Sequence, residues 1–183
     1  MNRRMPMIIG LSAIALLFSA TSSRGDTGSI TWPSLKCLPA LHITVTVGEI
    51  GSARDSVVGP SSESIRSDFE LRLWKAGIHV LSDEEWFGAG RQSPQAAFLY
   101  VDLSPIRQNP PTNYSFAVRL ELNRPAVANY CDSTIAMWAP VWFTYAHAVC
   151  SVGDYDKFAR QVLADKLTAF LKDYLAANGK TEE

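Results

Sequence analysis

The stretch Tyr114-Ser115-Phe116-Ala117-Val118-Arg119-Leu120-Glu121-Leu122 alternates without a break. Tyr114, Phe116, Val118, Leu120 and Leu122 point one way, while Ser115, Ala117, Arg119, Glu121 and Asn123 point the other. A period of two with one apolar side is the mark of a strand that buries one face and wets the other, as antiparallel sheets do. Around it lie further segments of the same kind. Residues 97–103 put Leu99, Val101 and Leu103 on one face and Phe98, Tyr100 and Asp102 on the other. Residues 104–112, with Pro105, Pro110 and Pro111, are expected to turn. Residues 123–132 are expected to turn the chain back into a last strand from Thr134 to about Phe143, extending toward Val149. Pro140 cannot donate to a ladder and marks an edge, a bulge or a bend in that strand.

Upstream, Leu41, Ile43, Val45 and Val47 alternate with His42, Thr44 and Thr46, and residues 48–60 form a glycine-rich loop. Ser61 or Ser62 caps a helix that runs to Ala76 and stops at Gly77. Ile65, Phe69, Leu73 and Ala76 form its inner stripe, with Leu71 and Trp74 on the opposite side. A short strand over 78–81 follows. Ser82 and Glu85 then have capping-box spacing and start one helical turn that carries Trp86 and Phe87. Residues 88–95, including Gly88-Ala89-Gly90, read as loop. Tyr155 to Ala177 is a long amphipathic helix closed by Asn178-Gly179. The order β-α-β-β-β-β-α lacks a βα repeat. It predicts an α+β two-layer sandwich in which a mainly antiparallel sheet of four or five strands carries two helices on one face.

The first residues predict export. Arg3 and Arg4 precede an apolar run from Met7 to Ala20, and the small polar residues Thr21 to Ser23 follow. The run is shorter than the roughly 20 residues of a membrane span. Residues 1–22 are therefore expected to be a signal peptide. Residues 23–40 are an extended lead-in with Pro33 and Pro39, residues 41–178 a single α+β domain, and residues 179–183 a polar tail. The expected location is extracytoplasmic, periplasmic or secreted. Losing Arg3 and Arg4 from 17 basic residues leaves 15 against 18 acidic, a net charge of -3. That balance, with no basic cluster, argues against a nucleic-acid partner. With 47% hydrophobic and 19% charged residues, the composition is that of a chain with a full core.

In an oxidising compartment two of the 3 cysteines, Cys37, Cys131 and Cys150, are expected to pair. Three connectivities are open. Cys131–Cys150, which bracket one β segment, is favoured, unless that segment runs straight and holds its ends apart.

Three further stretches carry a resemblance: Glu70 to Val80 (ELRLWKAGIHV), Tyr114 to Pro125 (YSFAVRLELNRP) and Phe170 to Asn178 (FLKDYLAAN). Together they resemble small exported bacterial proteins of unknown function. The element order is also similar to envelope accessory domains of the LptE type and to the TolB N-terminal domain. The likeness is one of architecture and brings no catalytic positions.

No G-x-S-x-G, H-E-x-x-H, P-loop or complete G-x-G-x-x-G occurs. No C-x-x-C or paired-histidine spacing points to a metal, and no cofactor is implied. Asp83, Glu84 and Glu85 in a first helical turn are expected from the helix dipole alone. The sequon Asn113-Tyr114-Ser115 would accept a glycan only in a eukaryotic secretory path, and the resemblance to bacterial proteins argues against it. A hydrolase reading would need His147 or His79 beside a carboxylate such as Asp132 or Asp154. The stronger lead is the sheet face away from the helices, which would carry Phe98, Tyr100 and, sharing one phase, Trp138 and Trp142. Aromatic rings left open on a small domain anchor interfaces. Leu71 and Trp74 form a second patch. These features give three readings: a non-enzymatic module that binds a protein or envelope component, a small extracytoplasmic hydrolase or ligand-processing enzyme, and a self-associating structural protomer.

Overall fold

The alternation at Tyr114–Leu122 lies inside a much longer strand. In a computed structural model of the chain, the structure describes residues 33–48, 59–88, 90–93, 95–107, 113–130 and 133–180. The segment read as a signal peptide, Cys131, Asp132 and the last three residues of the tail lie outside them. The strands are β1 (Ala40–Val47), β2 (His79–Leu81), β3 (Phe98–Arg107), β4 (Asn113–Tyr130) and β5 (Ser133–Ser151). The helices are α1 (Ser62–Lys75), the single turn α2 (Asp83–Phe87) and α3 (Tyr155–Ala177). The strands form one sheet in the order β2-β1-β3-β4-β5.

The α+β class and the packing of the two long helices, α1 and α3, on one sheet face agree with the sequence, while the strand directions are mixed. β1 runs parallel to both β2 and β3, and β3, β4 and β5 are antiparallel to one another. The cause is the pair of crossovers through α1 and α2, which return the chain to the same end of the sheet before each new strand. The segments expected as turns over 104–107 and 123–130 are strand. Pro125 and the small residues around it gave a turn signal, which cross-strand pairing with Ser133–Ala139 overrides. β3 stops pairing where Phe98 meets Asn123, so the outer part of the β4–β5 hairpin projects past the other strands as a two-stranded ribbon.

The inner face carries the core. Ile43, Leu99, Val101, Phe116, Val118, Leu120 and Leu122 are buried beneath Ile65, Phe69 and Leu73 of α1 and Leu163, Leu167 and Phe170 of α3. α1 begins as expected, with the Ser61 hydroxyl accepting from the Ser64 amide. It ends in a Schellman turn, in which Gly77 at φ 76° donates to the Trp74 carbonyl and Ile78 to Leu73. Tyr155 is buried against Tyr114 and Phe116.

One irregularity sets the two faces of β5. Leu122 pairs with Trp142 but Asn123 pairs with Pro140, so Val141 is an extra residue opposite no partner. Such a bulge shifts the pleat by one residue and exchanges the faces of everything beyond it. Trp142 therefore points into the core, where it is 2% exposed. Its Nε1 donates to Asp173 of α3 at 2.8 Å, and its ring stands edge-on to Phe170. Trp138 points to the outer face. The expectation that both tryptophans share one face is corrected by this bulge. The lead-in locks it in place: Ser34 Oγ donates to the Val141 carbonyl, Arg124 donates to the Ser34 carbonyl, and Asn178 to that of Leu35. Leu35 and Leu38 are buried in the same core.

The expected Cys131–Cys150 bridge is not made: Cys150 is a free, half-buried thiol, and Cys131 lies outside the described residues.

Two substitutions test the phase change. Trp142→Ser is expected to cost about 3–5 kcal/mol in urea unfolding, the loss typical of a buried large ring. Trp138→Ser should cost less than half of that. Equal costs would contradict the assignment. Gly59→Ala is expected to cost about 1–3 kcal/mol by overpacking, because its Cβ would lie 2.6 Å from the buried Tyr155 ring.

Candidate functional site

The outer sheet face is built from residues that alternation sets opposite the core. At one end it is closed by α2. Ser82 Oγ accepts from the Glu85 amide, and the Glu85 carboxylate accepts from the Ser82 amide, completing the capping box read from the sequence. That cap holds a turn too short to stand alone. Its Trp86, 5% exposed, stacks on His42 with ring centres 5.1 Å apart and planes 8° from parallel. Trp86 also meets Trp138 at 5.6 Å and Phe98 at 6.1 Å, and Phe98 and Trp138 meet edge-on at 5.2 Å.

A polar clamp fixes this cluster to the helix layer. His42 Nε2 and Asp83 Oδ1 are 2.8 Å apart, and Arg66 Nη2 of α1 donates to the same oxygen at 2.8 Å. Arg66 Nε donates to Glu70. The hydrogen bond from Arg66, with that from His42, holds the Asp83 carboxyl at about 2, well below the usual carboxylate range. The same bond raises the Arg66 guanidinium further. Asp83 is 62% exposed, so water screens the pair and its energy is small.

Past α2 the outer face is open. In register across the sheet lie Thr44, Tyr100, Glu121 and Phe143, and beside them Thr46, Asp102, Arg119 and Tyr145. Phe143, Tyr145 and Val149 are 62%, 55% and 57% exposed. Arg119 and Glu121 form an ion pair between them.

The structure thus brings together Phe98, Tyr100 and Trp138 of the expected aromatic face and removes Trp142 from it. Phe143 and Tyr145, on the same face, were missed because the reading carried the Trp138 phase past Pro140 without a break. Trp86 was placed on its turn but not in the cluster. The signal was His42, the one ring on the polar side of β1, followed by a capped turn carrying tryptophan. Leu71 and Trp74 are 52% and 71% exposed and border a shallow groove of about 410 Å³ with His79 and Glu85. Pro33–Leu35 of the lead-in lies against β5 and α3 at the other end of the sheet, away from this patch.

Among the described residues no histidine stands beside both a nucleophile and a free carboxylate, and Asp132 lies outside them. His79 and His147 are exposed, and among the described residues neither hydrogen-bonds a carboxylate; His147 lies against the Tyr145 ring. Asp154 instead accepts from Ser151. His42 does meet a carboxylate, but its ring is sealed under Trp86 and its Nε2 is taken by Asp83. Among the described residues there is no group of three or more His, Cys, Asp or Glu that could hold a metal ion. No helix among them is long and apolar enough to cross a membrane.

Comparison with known proteins adds little to this geometry. No protein-family model matches the chain. No curated protein matches it either. Among solved structures it is similar to the PelC L103M dodecamer from Paraburkholderia phytofirmans, at 13% identity and a TM-score of 0.36, over 78% of this chain and 89% of that one.

The clamp predicts an acid transition. A carboxyl held low in the folded protein stabilises it above the unfolded value, near ~4 for aspartate, and that contribution is lost as pH falls toward 2. Near-ultraviolet circular dichroism should show the Trp86–His42 stack loosening between those values. Asp83→Asn should show a weakened signal already at neutral pH and no further step in that window. An identical acid profile in the variant would contradict the role of Asp83.

Proposed function

We propose that this chain is a non-enzymatic, exported binding module that holds a protein or envelope component against the open outer face of its sheet. One observation carries the reading. The long helices α1 and α3 cover one face, and the other, past the single turn α2, displays exposed Phe143 and Tyr145 with half-buried Tyr100 on a rigid sheet beside the Trp86–Phe98–Trp138 cluster. Aromatic rings on a stiff platform bury much area at little entropic cost, which is what interface anchors require. Among the described residues the histidines are sealed or hydrogen-bond no carboxylate, which supports binding over catalysis. Export rests on the basic, apolar and small-polar succession of residues 1–22.

Photoreactive residues at positions 100 and 143, introduced in cells, are expected to crosslink one envelope component. The crosslink formed from position 100 should disappear when Phe143→Ser and Tyr145→Ser are added. Both side chains are exposed, so the thermal midpoint of that variant should stay close to the parent's. Crosslinks of equal strength from a photoreactive residue at Asp165, on the solvent side of α3, would sink the proposal. So would recovery of the chain with cytoplasmic proteins alone.

A further inference from the structure

The sheet has two edges, and they differ in their protection. β2, at one end, is three residues long, with ionic residues Lys75 and Glu85 close by. Short, charge-flanked edges resist pairing with other chains. β5, at the other end, is 19 residues long and contains no Lys, Arg, Asp or Glu. Among the described residues it is guarded by the Val141 bulge with Pro140, latched by Ser34 of the lead-in, which interrupts pairing upstream and leaves Trp142–Ser151 as a regular strand.

We propose that this segment of β5 pairs antiparallel with β5 of a second copy, joining two sheets across a two-fold axis. An antiparallel strand edge is self-complementary about such an axis, as a two-fold interface requires. With the axis at His147, Tyr145 faces Val149 of the second copy on the outer side, an aromatic and β-branched pair of the kind that stabilises cross-strand contacts. On the helix side Ala146 faces Ala148, and these small residues leave room for α3 of each copy. β5 brings no Lys, Arg, Asp or Glu to the seam, where His147 faces its own copy, and Arg119 and Glu121 on the neighbouring strand pair with each other. The paired length is about 30 Å. Phe143 and Tyr145 offer on the order of 200 Å² of open ring. That falls short of the roughly 800 Å² per partner of a standard interface. The dimer is therefore weak, forming at micromolar concentrations or above. It shares Phe143 and Tyr145 with the face proposed for the foreign partner but rests on the backbone edge of β5, which that partner does not need.

Sedimentation equilibrium of the purified protein should show a concentration-dependent monomer–dimer transition. Amide exchange over residues 142–151 should slow as concentration rises. Tyr145→Lys with Val149→Lys is expected to weaken the dimer at least about tenfold, or ~1.4 kcal/mol, with an unchanged circular dichroism spectrum. Tyr100→Ser, two strands inside the same face, should leave the dimer intact, so loss of foreign binding and loss of pairing are read separately. A monomer up to millimolar concentration would overturn the proposal. A dimer that survives both lysines, or one without protection of residues 142–151, would also overturn it.

Discussion

Val141 is one residue more than β4 can pair, and the two faces of the molecule are arranged around that surplus. Because side chains in a strand alternate, a single inserted residue reverses every side chain beyond it. On the C-terminal side of the bulge Trp142 sinks between the sheet and α3, with its indole nitrogen satisfied by Asp173. On the N-terminal side Trp138 stands on the outer face and meets Trp86 and Phe98. The carbonyl released by the irregularity is taken up by Ser34, so the lead-in is part of the fold. An unsatisfied carbonyl there would cost about 1–3 kcal/mol, which offsets the ordering of roughly one or two residues, and the burial of Leu35 and Leu38 in the core adds to it.

The cluster on the outer face is the second consequence. α2 is too short to persist alone, and three connections hold it: its capping box, the Asp83 clamp to His42 and Arg66, and the tryptophan ring laid over His42. Together they turn one end of a polar sheet face into a small second core. What remains open, from Tyr100 to Phe143 and Tyr145, is the aromatic part of the outer face left without helical cover.

Much of this was legible in the residues. The alternation of Leu41–Val47 and Tyr114–Leu122, the Ser61 cap, the Gly77 stop, the Ser82–Glu85 box and the long helix ending at Asn178-Gly179 all depend on local chemistry, which a sequence carries directly. The length of the hairpin was not legible, because Pro125 and its small neighbours favour a turn locally and are held extended by β5 across the ladder. Nor was the phase of Trp142, since a bulge is a mismatch between two strands and neither strand shows it alone. Pro140 was the available sign, and it marked the place without giving the direction. The α1 and α2 crossovers fixed β2 and β3 parallel to β1, a relation decided by where a helix returns the chain rather than by any residue pattern.

The most direct test of this arrangement is the indole N–H exchange and ring contacts of Trp138 and Trp142, observed by nuclear magnetic resonance with each tryptophan assigned by substitution. The account predicts a slowly exchanging Trp142 indole proton with ring contacts to Phe170, and a Trp138 ring in contact with Trp86 and Phe98. If both indoles exchange at similar rates and both contact the Trp86 side, the bulge is absent, the two rings share a face, and the account fails.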